Sequence, residues 1–467
     1  MVMKKEELLK LPVSTRQQRI AEIAQRKRGE PLTLLHHYID ENWLRASYFQ
    51  LRKESAPGID GQTVAEYGKN LEENVKSLLK RAKTGTYKAP AVRRAMIPKP
   101  GKKKEFRPLG IPTTEDKVLQ KAVLMVLEPI YELEFYGFSY GFRKGKSPHQ
   151  ALDYLWHEIM YKNIQWIIDL DIRKFFDTVK HEILRQLLHK RVRDGVISRL
   201  IGKWLKAGVL EDGSIHYNDE GTPQGGIVSP MLSNIYLHEA IDKWFAEVVQ
   251  PRLRGRSFMV RFADDVVLGF ENKVEAEKVL SALSRRFEKY GLELHPEKTR
   301  LLYFGKPGKF SDSDSDSESD DDRGKDGNTK GPRQRSFDFL GFTHYWGKSL
   351  KGKWVVKRKT ASKKLREKLK KMNEWCKKYR HYPIGYQYEK LCQKLKGHYA
   401  YYGITGNMRG MQRYLDKVKR IWKKWLCRRS WKNKLNWEEF NVFLTQRCPL
   451  PPAKVVHSIY AKRAVKQ

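Results

Sequence analysis

Asp264 and Asp265 stand side by side between two apolar runs, Phe258-Met-Val-Arg-Phe-Ala before them and Val266-Val-Leu-Gly-Phe after. The alternation of Phe258, Val260 and Phe262, followed by the continuous run to Phe270, predicts two paired strands with the acids at their turn. Hairpin formation does not require adjacent like charges, and in a closed site such charges repel and raise each other's pKa unless a cation lies between them. A second acidic strand end comes upstream, in Ile164-Gln-Trp-Ile-Ile-Asp-Leu-Asp-Ile-Arg-Lys-Phe-Phe-Asp177. A period of two puts Asp169 and Asp171 on one face with Ile167. Laid beside the hairpin, this strand would bring three carboxylates together. Hard divalent cations take oxygen ligands, and two metals roughly 4 Å apart clamp the attacking and leaving oxygens of an in-line phosphoryl displacement. The chemistry is then nucleotidyl transfer, although each acidic stretch taken singly reads equally well as a solvated strand end.

Several elements would have to position these acids. Val92 to Pro112 predicts two short strands joined by a Pro-Gly-Lys turn, holding Lys99 and Arg107 on a small sheet where a mobile point charge and a planar fork suit a triphosphate. Val118, Leu119, Ala122, Val123, Val126 and Leu127 form the stripe of a helix after Thr113. Tyr136-Gly-Phe-Ser-Tyr-Gly-Phe-Arg-Lys-Gly145 interleaves glycine, aromatics and cations, including Arg143, and reads as a surface approached by a nucleic-acid backbone. The stretch from His181 to Trp204 reads as helix. Gly221-Thr-Pro-Gln-Gly-Gly226 then opens another helix, its glycines, Gly225 among them, letting backbone N–H groups approach a phosphate while Gln224 meets a base edge. Lys273 to Tyr290 is an amphipathic helix, and Gly291 to Arg300 is a turn and strand carrying Lys298.

Asp169-Leu-Asp-Ile-Arg-Lys-Phe-Phe-Asp177, the Gly221-Thr-Pro-Gln-Gly-Gly-Ile-Val-Ser-Pro230 block and Phe262-Ala-Asp-Asp265 resemble, in order and spacing, the palm motifs of group II intron-encoded reverse transcriptases of the maturase type. The resemblance runs from about residue 30 to the C-terminus. It implies an α+β right-hand polymerase, with fingers, an antiparallel palm sheet and a basic helical thumb, or X domain. It implies catalytic Asp171, Asp264 and Asp265; two Mg²⁺ ions, with Mn²⁺ as a substitute, at Asp171, Ile172, Asp264 and Asp265; and nucleotide contacts from Lys99, Arg107, Phe176 and Gln224. Phe176, five residues after Asp171, takes the position beneath the sugar's 2′ carbon. Arg143, Gly225, Lys298, the Leu340-Gly341 grip in Phe337-Asp-Phe-Leu-Gly-Phe342, Arg428 and Arg429 fall on template, primer or RNA. The implied partners are an RNA template, a DNA or RNA primer, deoxynucleoside triphosphates and group II intron RNA. A relative turned to phage defence or spacer acquisition, or a maturase that folds RNA without making DNA, is the rival reading; the intact acids speak against the latter.

Length, charge and composition agree with such partners. In 467 residues the net charge is +39 and 12% are aromatic, which calls for a polyanion with unpaired bases to stack. Residues 351–467 carry 33 Lys and Arg against 6 Asp and Glu, so +27 of that charge lies there. Helical patterns cover 365–379, 386–402 and 411–426, with Trp422, Trp425, Trp431 and Trp437 among the cations. No apolar run is long enough for a membrane span. Cys376, Cys392, Cys427 and Cys448 show neither a disulfide framework nor zinc spacing, and a polar start lacks a secretory signal, so a reducing, cytoplasmic location is expected. The expected organisation is a basic, loosely ordered extension (1–31), an N-terminal helix and fingers (32–163), a palm (164–346) and the thumb (347–467), without a C-terminal endonuclease. Within the palm, the Ser/Asp run from Ser311 and its Gly/Lys-rich sequel cannot bury a core, which predicts an unstructured acidic insertion over 311–335.

Overall fold

A computed structural model describes residues 11–98, 106–211, 214–216, 225–307, 336–430 and 435–460; the acidic insertion lies outside these. Helices and sheets are mixed in an α+β arrangement, and contacts divide the chain into two compact units, residues 1–151 with 168–301 and residues 152–167 with 302–467. The elements in chain order are α1 Val13–Arg26, α2 Glu41–Phe49, α3 Val64–Lys69, α4 Leu71–Thr84, β1 Val92–Pro98, β2 Phe106–Ile111, α5 Thr114–Tyr131, α6 Pro148–Tyr161, β3 Trp166–Leu170, α7 Phe175–Thr178, α8 His181–His189 and α9 Gly195–Leu205. They continue with β4 Val209–Glu211, β5 Ser214–His216, α10 Ser229–Leu237, β6 Ser257–Phe262, β7 Asp265–Phe270, α11 Lys273–Glu288 and β8 Arg300–Tyr303. The last are β9 Phe337–Phe339, β10 Phe342–Lys348, β11 Trp354–Thr360, α12 Ser362–Lys378, α13 Ile384–Tyr402, α14 Met408–Leu426 and α15 Trp437–Gln446.

In the first unit, α5 is buried along nearly its whole circumference, as its apolar composition requires. Thr113 caps it by accepting from the Asp116 N–H, and Glu115 and Asp116 sit in its first turn, where negative charge suits the helix dipole. The basic N-terminal stretch differs from expectation. Arg16, Ile20 and Ala24 recur at helical spacing, so α1 forms and buries that face, with the Arg16 guanidinium 3.1 Å from Asp40 and over the Trp43 ring. Capping also sets the other helix limits. Asp40 accepts from Trp43 N–H to start α2, and Asp194 accepts from Val196 and Ile197 N–H, splitting the single helix expected over 181–204 into α8 and α9.

Two four-stranded sheets carry the sequence motifs. In the order β2-β1-β4-β5, the expected antiparallel β1–β2 pair, with Ile97 opposite Arg107, gains β4 parallel to β1 and then β5. The other runs β6-β7-β3-β8, placing the strand before Asp171 next to the strand that starts at Asp265. In the second unit, β11-β10-β9 is an antiparallel meander, and α12, α13 and α14 begin and end within three residues of their expected bounds. Their core includes Leu391, Leu395, Met411, Val418 and Trp422. Trp422 is thus not a surface ring among cations: it is fully buried, with its indole N–H donating to Gln387.

Candidate active site

The β6–β7 hairpin closes on a two-residue turn, since Phe262 pairs with Asp265 and leaves Ala263 and Asp264 at the tip. Ala263 has φ +57°, a left-handed conformation that costs a residue with a Cβ roughly 1 kcal/mol. That conformation needs support, and Arg261 supplies it. Its side chain is fully buried; Nε and Nη2 donate to the two Asp242 oxygens at 2.7 and 2.5 Å, and Nη1 donates to Asn234 Oδ1 at 2.9 Å and to the Ala263 carbonyl at 3.1 Å. Burial alone would raise the Asp242 carboxyl, but Arg261, with His238 beyond it, outweighs burial and holds it below the usual range. Asn234 in turn donates to the Gly141 carbonyl at 2.8 Å. Gly141 lies so close to the turn that a Cβ there would meet the Ala263 nitrogen at 2.2 Å, which only glycine avoids. Arg261, Asp242, Asn234 and Gly141 were not singled out from the sequence. The available signal was Arg261 alone in the apolar run Phe-Met-Val-Arg-Phe, and Asp242 beside Lys243 in Ala-Ile-Asp-Lys-Trp.

Asp171 follows β3. Its carbonyl accepts from His295 N–H and Arg173 N–H donates to the Glu293 carbonyl, an antiparallel pairing around Ile172 and Leu294 in which the Ile172 carbonyl takes no part. The Asp171 side chain is 40% exposed and accepts from Lys298 Nζ at 2.9 Å; Arg300 similarly lies 3.0 Å from Asp169. Carboxylate and carbonyl oxygens at Asp171, Ile172, Asp264 and Asp265 form a donor set that suits a hard divalent cation, and Lys298 shows that Asp171 attracts positive charge. The expected convergence of three carboxylates is nevertheless not reached. Among the described residues no group of three or more His, Cys, Asp or Glu side chains is drawn together to hold a metal.

The other expected site residues fall out differently. Phe175 is 3% exposed, packed near Tyr236, while Phe176 is only half-buried and lies edge-on to Phe175. Arg107 lies in β2; Lys99 and Gln224 lie outside the described residues. Gly225, at φ +117°, passes within 2.2 Å of the Gly110 carbonyl when measured from a notional Cβ, so it serves a close backbone crossing. Beyond it, Gln120 Oε1 accepts from Ile227 N–H, while Gln120 Nε2 donates to buried Asp116, which also accepts from Tyr87 and Trp204. Burial nevertheless pushes the Asp116 carboxyl up to about 6 against those hydrogen bonds.

Arg143 corrects the expectation of a nucleic-acid contact. Its side chain is 4% exposed, bonded to Glu132 and to the Tyr136 and Ser139 carbonyls and lying over Phe135. It therefore organises the loop that carries Gly141 instead of reaching solvent. In the second unit, Leu340 and Gly341, both at positive φ, form the β9–β10 turn, with the Leu340 carbonyl accepting from Tyr401 and the Gly341 carbonyl from Ala361 N–H. Arg428 is exposed with its guanidinium 5.3 Å over Trp425, and Arg429 is half-buried.

The family model for "Reverse transcriptase (RNA-dependent DNA polymerase)" matches residues 97–344, which hold both acidic strand ends and the glycine block. The chain belongs to the reverse transcriptase family. Within it the likeness is to group II intron-encoded members. The chain is 38% identical over 239 residues to the group II intron-encoded protein LtrA of Lactococcus lactis subsp. cremoris, a match taking in 50% of this chain and 38% of LtrA. Protein YkfC of Escherichia coli (strain K12) is 33% identical over 307 residues, 57% of this chain and 78% of YkfC. Nuclear intron maturase 4, mitochondrial, of Arabidopsis thaliana is 32% identical over 131 residues, 28% of this chain and 16% of the maturase. The reverse transcriptase match thus spans well under half of LtrA's own length.

Proposed function

We propose that this chain extends a DNA or RNA primer along an RNA template with deoxynucleoside triphosphates, and that it also binds group II intron RNA in the cytoplasm. The observation that carries the reading is the Asp264–Asp265 hairpin, braced by a buried arginine, on a strand next to the one that Asp171 follows. Asp171, Asp264 and Asp265, with the Ile172 carbonyl, would hold two divalent ions such as Mg²⁺, which when bound lower the pKa of the attacking hydroxyl and neutralise the leaving pyrophosphate. The chain's own residues do the rest. Arg261 fixes the acidic tip, so little reorganisation is needed as charge develops. Lys298 holds a positive charge against Asp171 Oδ2. Lys99 and Arg107 serve the triphosphate, Gln224 a base, and the Phe176 ring leaves no room or hydrogen-bond partner for a 2′-hydroxyl.

The basic bundle of the second unit, with Arg428 and Arg429 and the Leu340-Gly341 turn, serves as the thumb that holds primer and intron RNA. Its cations would release counterions from phosphates, and its exposed rings would stack on unpaired bases. The test is extension of a primer annealed to RNA, with deoxynucleoside triphosphates and Mg²⁺ or Mn²⁺. Product of template length is expected. RNA binding without any extension would replace the polymerase by an RNA-folding maturase.

A further inference from the structure

The first unit contains a basic concavity, built from residues outside the acidic hairpin. A cavity of about 660 Å³ opens between the 87–91 segment and the faces of α8 and α9, lined by Lys88, Arg185, His189, Arg199, Lys203 and Lys206 and, among the described residues, by no carboxylate. Its cations are ordered along two helices. Arg185 and His189 are one turn apart on α8; Arg199 and Lys203 follow at i and i+4 on α9, and Lys206, at i+7, caps its C-terminal end, a row about 10 Å long at 1.5 Å per residue. The opposite face of α9 buries Ile197, Leu200, Ile201, Trp204 and Leu205, so the helix is fixed and its cationic side is held outward. Two of the cations brace the wall: Lys203 donates to the Gly85 and Tyr87 carbonyls and Arg199 to the Lys83 carbonyl. The side chains of Lys88, Arg185 and Lys206 have no ion-pair or hydrogen-bond partner among the described residues.

Solvated surface lysines are ordinary, but three further features distinguish this groove. One sign of charge inside a concavity focuses the field and concentrates counter-ions there. The row is longer than one phosphate group, which suits a polymer backbone better than a free ion. Gly202 lies mid-helix among the cations, where glycine weakens a helix, yet a Cβ there would have no atom within 4 Å. Packing therefore does not require glycine at this position, whereas an approaching strand would benefit from the open floor.

We infer that this groove is an RNA-backbone site, taking consecutive phosphodiesters of a structured RNA, separate from the acidic hairpin. The inference deepens the proposed RNA-binding role and rests on it. The test uses the full chain and two variants, Arg185→Gln/Lys206→Gln and Gly202→Glu. The second places a carboxylate in the groove without removing a cation, at a position where a Cβ meets no atom within 4 Å. Fluorescence anisotropy with a fluorescein-labelled RNA duplex is read across a KCl series.

The double variant should bind about tenfold or more weakly at low salt, with the log–log salt slope shallower by about 1.8, the loss of two phosphate contacts. Gly202→Glu should weaken binding as well. Wild-type affinity and slope in both variants would overturn the inference. So would variants that keep RNA binding but lose thermal stabilisation by inorganic tripolyphosphate, since the ligand would then be a free polyphosphate. A wild-type chain that binds no RNA would instead refute the proposed function beneath it.

Discussion

Arg261 and Asp242 form an ion pair in which both side chains are fully buried, and Arg261 also holds the Ala263 carbonyl at the acidic tip. Breaking the pair from one side, by Asp242→Asn, leaves a guanidinium buried without its counter-charge. Such truncations cost about 3–5 kcal/mol. Replacing both partners, as Arg261→Met with Asp242→Leu, removes the uncompensated charge, and buried pairs exchanged for apolar side chains are often neutral in stability. Urea unfolding should therefore show a large loss for the single variant and recovery to within about 1–2 kcal/mol of wild type for the double. Activity should separate from stability. Methionine cannot donate to the Ala263 carbonyl or to Asn234, so the turn loses its anchor, and a misplacement near 1 Å is worth about a hundredfold in rate. Primer extension by the double variant should stay about 10- to 100-fold below wild type in kcat while primer–template affinity is unchanged. Recovery of full extension together with stability would refute the positioning role and leave the pair a purely structural device.

Two further outcomes follow from burial. Phe176→Ala should raise ribonucleotide incorporation relative to deoxynucleotide, whereas Phe175→Ala, which empties a core position, should mainly lower the unfolding midpoint; reversal of the two phenotypes in extension assays would move the sugar contact to Phe175. In the second unit, burial, helped by Arg358, lowers His344 to about 3, and burial, helped by Lys368, lowers His398 to about 4. Both depressed values mean that the unfolded chain binds the proton first, so stability is full above about 6.5 and falls as pH drops towards the folded values, by about 2 kcal/mol per histidine at pH 5. His344→Phe or His398→Phe should flatten the pH dependence of unfolding between pH 5 and 7, and an unchanged profile in both would refute the assignment.

The parts of the site that were legible in the sequence are those written in local spacing. Alternation into Asp264 and Asp265, the period-two face of Asp169 and Asp171, and the 3.6-residue stripes of α12 to α14 each concern a few turns or strand residues, and each element appears where expected. What stayed hidden joins distant residues. Lys298 reaches Asp171 across 127 positions, and Arg261 meets Asn234 and Asp242 across 27 and 19, distances over which no periodicity carries information. Arg143 was misplaced because aromatics, glycines and a cation in alternation describe a nucleic-acid surface and a buried guanidinium over Phe135 equally well. The basic N-terminal stretch misled for a related reason: its composition hid the one face, Arg16, Ile20 and Ala24, that the fold buries.

In the proposed polymerase, Asp264, beside Asp265 at the hairpin tip, serves chemistry and not binding. The most direct measurement is RNA-templated primer extension by Asp264→Asn, with affinity for the same primer–template determined in parallel. The substitution keeps the size of the turn residue and removes one metal-binding charge. Extension should fall by at least about a hundredfold with affinity nearly unchanged. Wild-type extension by Asp264→Asn would contradict the assignment of the acidic hairpin as the polymerase centre.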